Sequence, residues 1–291
     1  MAGSSLPSNS GQNAERIVRE PGPAERMPRR ASRRRRSIEL TLAVAFPAVL
    51  IGLWQVASGL DWIDGRLYPS PTEIIAKTRT LFADRDLASD AWISVRRILW
   101  GYLWGVLGGL SFGIGMGMFR LMRKTGEPTL IALYTVPKLA LLPIYLTIFG
   151  FGETTIIALI ATTVFFFVWL SAMAAVMAVP ETYREAASSF GAGRWLLFRH
   201  VMLPAALPSI FVGLRLSAGV AVLMIVGVEF VIGGEGLGYV INQGRLLGLI
   251  EQTYVGIVIV AVIGVVFSAL VRFAGKLACP WSNDDQGQPI A

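Results

Sequence analysis

Polar and apolar residues along this chain segregate into long blocks. Six blocks stay apolar for about 20 residues, the length an α-helix needs to cross a bilayer: residues 38–60, 98–119, 129–149, 154–178, 207–232 and 253–271. The second, fourth and sixth hold no charge, and the first holds only Glu39 near its start. The third is interrupted by Pro137 and Pro143 and contains Lys138, while the fifth contains Arg215 and Glu229. Between the blocks, residues 61–97 are polar and include Tyr68-Pro69-Ser70-Pro71, whose prolines forbid a continuous helix; an amphipathic helix is predicted over 72–82. Residues 180–204 form a second polar stretch, and Gly233-Gly234-Glu235-Gly236-Leu237-Gly238 opens a third as a loop. Residues 1–37 lack periodicity and end in an Arg-rich run, the composition of a disordered tail. The block 38–60 is longer than a signal-peptide core and has no small-residue cleavage site close behind it, so it reads as a retained span. The pattern predicts an all-α integral membrane protein with six transmembrane helices: a tail (1–37), a membrane domain (38–275) and a short C-terminal tail (276–291).

Composition sharpens this. Only 15% of residues are charged and 54% are hydrophobic, against about 25% charged in soluble domains, and the mean hydropathy is +0.60. The 26 Lys and Arg outnumber 19 Asp and Glu, leaving +7. With the N-terminus inside, 17 of the 26 cations fall on the cytoplasmic side, nine of them in the tail, and seven fall outside. The positive-inside rule then places both termini in the cytoplasm of a multi-pass protein of the inner (plasma) membrane. Topology and contact with anionic membrane lipid account for the basic balance, so nucleic acid is not needed as a partner. The lone Cys279 excludes an intramolecular disulfide and the lone His200 a multi-histidine metal site. No Gly-x-x-x-x-Gly-Lys-Ser/Thr loop occurs, so any ATP would be bound by another chain.

The most informative polar stretch is 180–204. It reads as a helix with small residues on its surface, a Gly191-Ala192-Gly193 turn, a second short helix over 194–199 and a Pro stop at Pro204. Exposed Ala, Gly and Phe190 make a knob suited to the cleft of another protein. Glu185-Ala186-Ala187, then Gly191, then Val201, Leu203 and Pro204 at fixed spacing resemble the EAA motif of ABC importer permeases, with Val201 where Ile is commoner. The resemblance covers about residues 67–275. Leu67 to Pro71, Ser94-Val95-Arg96-Arg97, Val136 to Pro143, Phe149 to Glu153 and Gly236-Leu237-Gly238 look like the subgroup that imports nitrate, sulfonates and taurine.

What the resemblance implies is a type I ABC importer permease fold in a chain that makes and breaks no bond and so is not an enzyme. ATP and Mg²⁺ belong to cytoplasmic ABC ATPase subunits, whose groove receives the 180–204 loop through Glu185, Ala186, Ala187, Gly191, Val201, Leu203 and Pro204. A periplasmic or lipid-anchored solute-binding protein delivers a small anion such as a sulfonate or nitrate, and a second copy of the chain completes a twofold pathway. The rival readings are an ion-coupled secondary transporter and a membrane-anchored scaffold; against the first, no internal repeat is evident and Glu229 is the one acid well inside a span.

Intramembrane charges suggest a pathway by default. Lys138, flanked by Pro137 and Pro143, is expected to face the translocation path, with Arg215 and Glu229 as further lining residues; the alternative for each is snorkelling or an ion pair with another helix. Arg215 and Glu229 stand about 21 Å apart along one helix and so do not pair with each other. Gly101, Gly105, Gly109, Gly113 and Gly117 recur every fourth residue and form a groove for close helix approach, within the subunit or between subunits.

Overall fold

The computed structural model describes residues 28–60, 62–84 and 87–282, and the chain divides after Ala57 into two units. Most of α1 (Pro28–Gly59) belongs to the first. It starts at Pro28 instead of residue 38, so the end of the expected tail is helical; arginine is a good helix former and continues the turn pattern backwards from the apolar block. Residues 1–27 of that tail and 283–291 of the C-terminal one lie outside the described residues.

The second unit begins with α2 (Pro71–Asp84), set by a capping box. The Ser70 amide donates to Glu73 Oε2 at 2.7 Å while the Glu73 amide donates to Ser70 Oγ at 3.3 Å, and Pro71 occupies the first turn, where no amide is needed. Then follow α3 (Leu87–Met118), α4 (Arg120–Thr135), a 3₁₀ turn (Lys138–Leu141), α5 (Leu142–Phe149) and α6 (Glu153–Met177). After these come α7 (Glu181–Ser189), α8 (Arg194–Leu197), a π turn (Phe198–Met202), α9 (Leu203–Ile232), α10 (Leu237–Leu246) and α11 (Ile250–Ala278). All regular structure among the described residues is helical. Five helices are long and apolar enough to span, and α4 with the 138–149 arm makes a sixth that is bent by 87°.

The centre of the unit is α6, 56% of whose span is buried against 11% for α11. Along one side runs α3, whose Gly101, Gly105, Gly109, Gly113 and Gly117 meet Ile160, Val164, Val168, Ala172 and Val176 in turn. A Cβ added at any of those glycines would come within 2.6 to 2.7 Å of an α6 atom, closer than carbon atoms tolerate. The glycine groove is therefore filled inside the subunit. The lower rungs are sealed by Trp169, whose indole N–H points at Met116 Sδ at 3.0 Å. On the other side α9 packs on α6, and Tyr102 of α3 ties to it by donating to the Leu214 carbonyl at 2.8 Å. The Tyr102 ring also stands edge-on to Phe267 of α11, 4.9 Å between centroids.

Three further boundaries differ from expectation for physical reasons. Helix α3 starts at Leu87, eleven residues before the apolar block, because its polar first turns face protein partners instead of lipid. The stretch after Gly236, read as a loop, holds α10. Pro204 does not stop a helix: it sits in the first turn of α9, and the helical path from Arg194 to Ile232 is continuous through the π turn.

Candidate functional site

The 180–204 segment folds into two short helices joined at Gly191. Helix α7 closes as a Schellman motif: the Ala192 amide donates to the Ala187 carbonyl at 3.1 Å and the Gly191 amide to that of Ser188 at 2.9 Å. Closure needs a left-handed residue, and Gly191 has φ +79°. The turn presents Phe190, 93% exposed, with Trp195, Leu196 and Tyr183 also exposed. Glu185 and Ala186 are exposed, Ala187 is half-buried, and Val201, Leu203 and Pro204 are half-buried at the root. Arg184 pairs with Glu181 along the helix at 3.0 Å, and among the described residues the Glu185 carboxylate has no partner.

At the 87° break, Pro137 and the 3₁₀ turn release the carbonyls at the end of α4. Lys138 fills this gap. Its ammonium group donates to the carbonyls of Leu133, Tyr134 and Val136 at 2.9, 2.8 and 2.7 Å, and lies 4.5 Å from the Phe166 ring centroid. A lysine has three N–H donors, and all three are engaged. Pro143 stands in the first turn of α5, where it starts that arm.

Glu229, in the last turns of α9, is 1% exposed and surrounded by donors. Ser94 Oγ lies 2.9 and 2.8 Å from its two oxygens, Arg97 Nη1 donates to Oε1 at 2.8 Å, and the Gly238 amide donates to Oε2 at 2.9 Å. Arg97 reaches on to Glu153, at the start of α6, with 2.9 Å from Nε and 2.7 Å from Nη2, and Arg96 pairs with the same carboxylate at 3.0 Å. The first amides of α10 are also caught: Gly236 N–H by Asp90 at 2.8 Å and Leu237 N–H by Ser94 Oγ at 2.9 Å. Two guanidinium groups and two carboxylates thus balance, and the positive end of α10 faces acceptors. Gly236 has φ +100° and a Cβ there would overlap the Glu229 carboxylate.

Arg215 lies on α9 facing α11, at a seam it shares with Ser268 and Arg272. It is separate from both clusters above.

Residues 105–278 match the family model described as "Binding-protein-dependent transport system inner membrane component". The chain belongs to that family. This permease is 32% identical over 286 residues to a Bacillus subtilis protein named as an aliphatic sulfonates transport permease, SsuC, covering 98% of both chains. It is 31% identical to the taurine transport system permease TauC of Escherichia coli, over 86% of this chain and 93% of the relative. Against the nitrate import permease NrtB of Synechocystis it is 28% identical, over 80% and 87%. Its fold is shared with the MetNI methionine ABC transporter in inward-facing form, TM-score 0.54 at 20% identity over 67% of this chain and 94% of that one. A bacterial ABC transporter importing alginate gives TM-score 0.54 at 14% identity, over 87% and 96%.

In this permease, the motif residues from Glu185 to Pro204 come together on one knob, whereas Lys138, Arg215 and Glu229 stand at three separate places. Glu229 is held by an ion pair with another helix, the alternative to lining a path weighed in the sequence, whereas Lys138 is held by carbonyls of its own bend, which is neither snorkelling nor an ion pair. Sequence reading missed the part played by Asp90, Ser94 and Arg97, which it left in a polar loop. A signal was present: 90, 94 and 97 continue the helical spacing of Gly101, Gly105 and Gly109 onto the same face.

Proposed function

We propose that this permease is the membrane-spanning subunit of an ATP-driven importer for a small solute that carries an oxyanion group, such as a sulfonate, nitrate or the zwitterion taurine. The observation that carries the coupling part is the α7–α8 knob, an apolar tip of Phe190 and Trp195 held out on a rigid Schellman turn at the root of the longest continuous helical path. A tip so exposed to water calls for a partner, and the motif it carries supports a separate ATPase, which would hold ATP and Mg²⁺. The substrate class is supported by the three named relatives. The distribution of 17 of 26 cations supports cytoplasmic termini and puts the knob on the ATPase side.

On this reading two copies stand side by side, each offering one knob to one ATPase, and a solute-binding protein delivers the solute at the opposite face, near α10. Closure of the ATPases draws the knobs together, and the path Arg194–Ile232 transmits the movement into the membrane as a lever. Such a shift requires contacts that differ between two states, which the knob supplies at one end. The test is uptake of labelled taurine and butanesulfonate by the purified complex in vesicles, with and without the ATPase. ATP-dependent uptake is the expected result; uptake that persists without ATPase under a proton or sodium gradient overturns it.

A further inference from the structure

Two adjoining cavities, of about 590 and 440 Å³, run along the seam between α9 and α11 and share Arg215, Gly219, Ser268 and Arg272. Ser268, Arg272 and Lys276 recur every fourth residue and so form one edge of α11, while Arg215 faces them from α9. No carboxylate lines either cavity. Among the described residues, Arg215, Arg272 and Lys276 have no ion pair or hydrogen bond. The smaller cavity continues past the cations over Ala261, Gly264 and Val265, and an added Cβ on Gly219 would meet nothing within 4 Å, so an open trough of small apolar residues leads away from the charges.

An uncompensated guanidinium inside a span is costly, and snorkelling relieves it by reaching towards water. Here Arg215 has two further cations between it and the end of α11, so the direction of relief is itself positive. The seam gathers charge where a lone arginine would disperse it. Guanidinium forks hold tetrahedral oxyanions with paired N–H donors, and a serine hydroxyl adds another. We infer that this seam binds an amphiphilic oxyanion: a phosphate or sulfonate headgroup on Arg215, Arg272 and Lys276, with its apolar chain in the Gly219–Gly264 trough. The headgroup chemistry is common to an anionic phospholipid and to an alkanesulfonate solute. The inference rests on the placement of α9 and α11 in the membrane and does not depend on the transport reaction.

The test uses the full importer complex in phosphatidylcholine nanodiscs and two probes: phosphatidylglycerol, followed by native mass spectrometry of retained lipid, and butanesulfonate, followed by titration calorimetry. Arg215→Gln with Arg272→Gln is expected to weaken at least one probe tenfold or more, whereas Lys124→Gln, an exposed cation elsewhere, leaves both unchanged. Gly219→Leu keeps every charge, has room for its side chain, and is expected to weaken the same probe several-fold. Arg215→Lys with Arg272→Lys keeps the charge but loses the paired N–H donors; binding intermediate between the wild type and the double Gln variant is expected, which guards against loss of folding as the cause. Loss of phosphatidylglycerol alone identifies the lipid as occupant, and loss of butanesulfonate alone the solute. Equal retention of both probes by the double Gln variant and Lys124→Gln overturns the inference, as does unchanged binding in Gly219→Leu. None of these measurements involves uptake, so their failure leaves the ATP-dependence experiment untouched.

Discussion

Arg97 and Glu229 face each other at 2.8 Å across 132 residues of chain, with side chains 7% and 1% exposed. Because Arg97 also holds Glu153, one guanidinium fixes the ends of α3, α6 and α9 together. Removing one partner of a buried pair leaves an uncompensated charge and costs about 3–5 kcal/mol, although replacing both can cost far less. Arg97→Met is therefore expected to lower the thermal midpoint of the detergent-solubilised permease sharply. Arg97→Met with Glu229→Met is expected to be less destabilised than the sum of the single variants, as read from a double-mutant cycle. Additive losses would show that the pair is not coupled.

The glycine ladder makes a contrast between two substitutions of the same type. At Gly109 a new Cβ meets Val168 Cβ at 2.7 Å and the Phe165 carbonyl at 2.9 Å. Gly109→Ala should destabilise by about 1–3 kcal/mol, the usual range for overpacking. Val168→Ala keeps that Cβ and leaves the Phe165 carbonyl in place, so adding it should recover little of the loss. Gly219→Ala, with open space beyond its Cβ, should be neutral or raise stability by up to about 1 kcal/mol through helix propensity. Thermal unfolding of the three variants checks the order.

The knob separates folding from docking. Gly191→Ala forces a Cβ into the left-handed region at φ +79°, a cost of about 1–2 kcal/mol, and should loosen the turn. Phe190→Ala removes a side chain that is 93% exposed and should leave the unfolding midpoint unchanged. Both are expected to reduce capture of the ATPase in pull-down and to lower ATP-driven uptake. Normal ATPase capture by Phe190→Ala would move the docking surface elsewhere.

Lys138→Met withdraws three donors from the carbonyls of Leu133, Tyr134 and Val136. The Tyr134 and Val136 carbonyls are part-buried, and losing hydrogen bonds to them costs about 1 kcal/mol, so a modestly lower midpoint is expected with little change in the KM for uptake. A raised KM at an unchanged midpoint would instead assign Lys138 to the solute path.

The apolar blocks alone led to the right number of membrane elements, and the Glu185 to Pro204 spacing led to the knob, because both depend on local sequence. Non-local compensation was harder to read. Arg96 and Arg97 look like the end of a polar loop until Glu153 and Glu229, contributed by other helices, are set beside them. The same reasoning covers α10: its Gly-rich start resembles a turn, and only acceptors from Asp90, Ser94 and Glu229 stabilise the first amides as a helix. Lys138 was legible as unusual, since prolines flank it, but the carbonyls it serves are released by the direction of the bend, which spacing does not encode.

The ladder between α3 and α6 also limits how this protein can move. Its rungs are matched one to one, glycine against a side chain at intervals of four on both helices, so sliding one helix past the other by a single residue would drive side chain into side chain. The two helices can tilt only as one plank. Any cycle of opening and closing must then take its freedom from the seams around that plank: the elbow at Pro137 and the looser face where α9 meets α11.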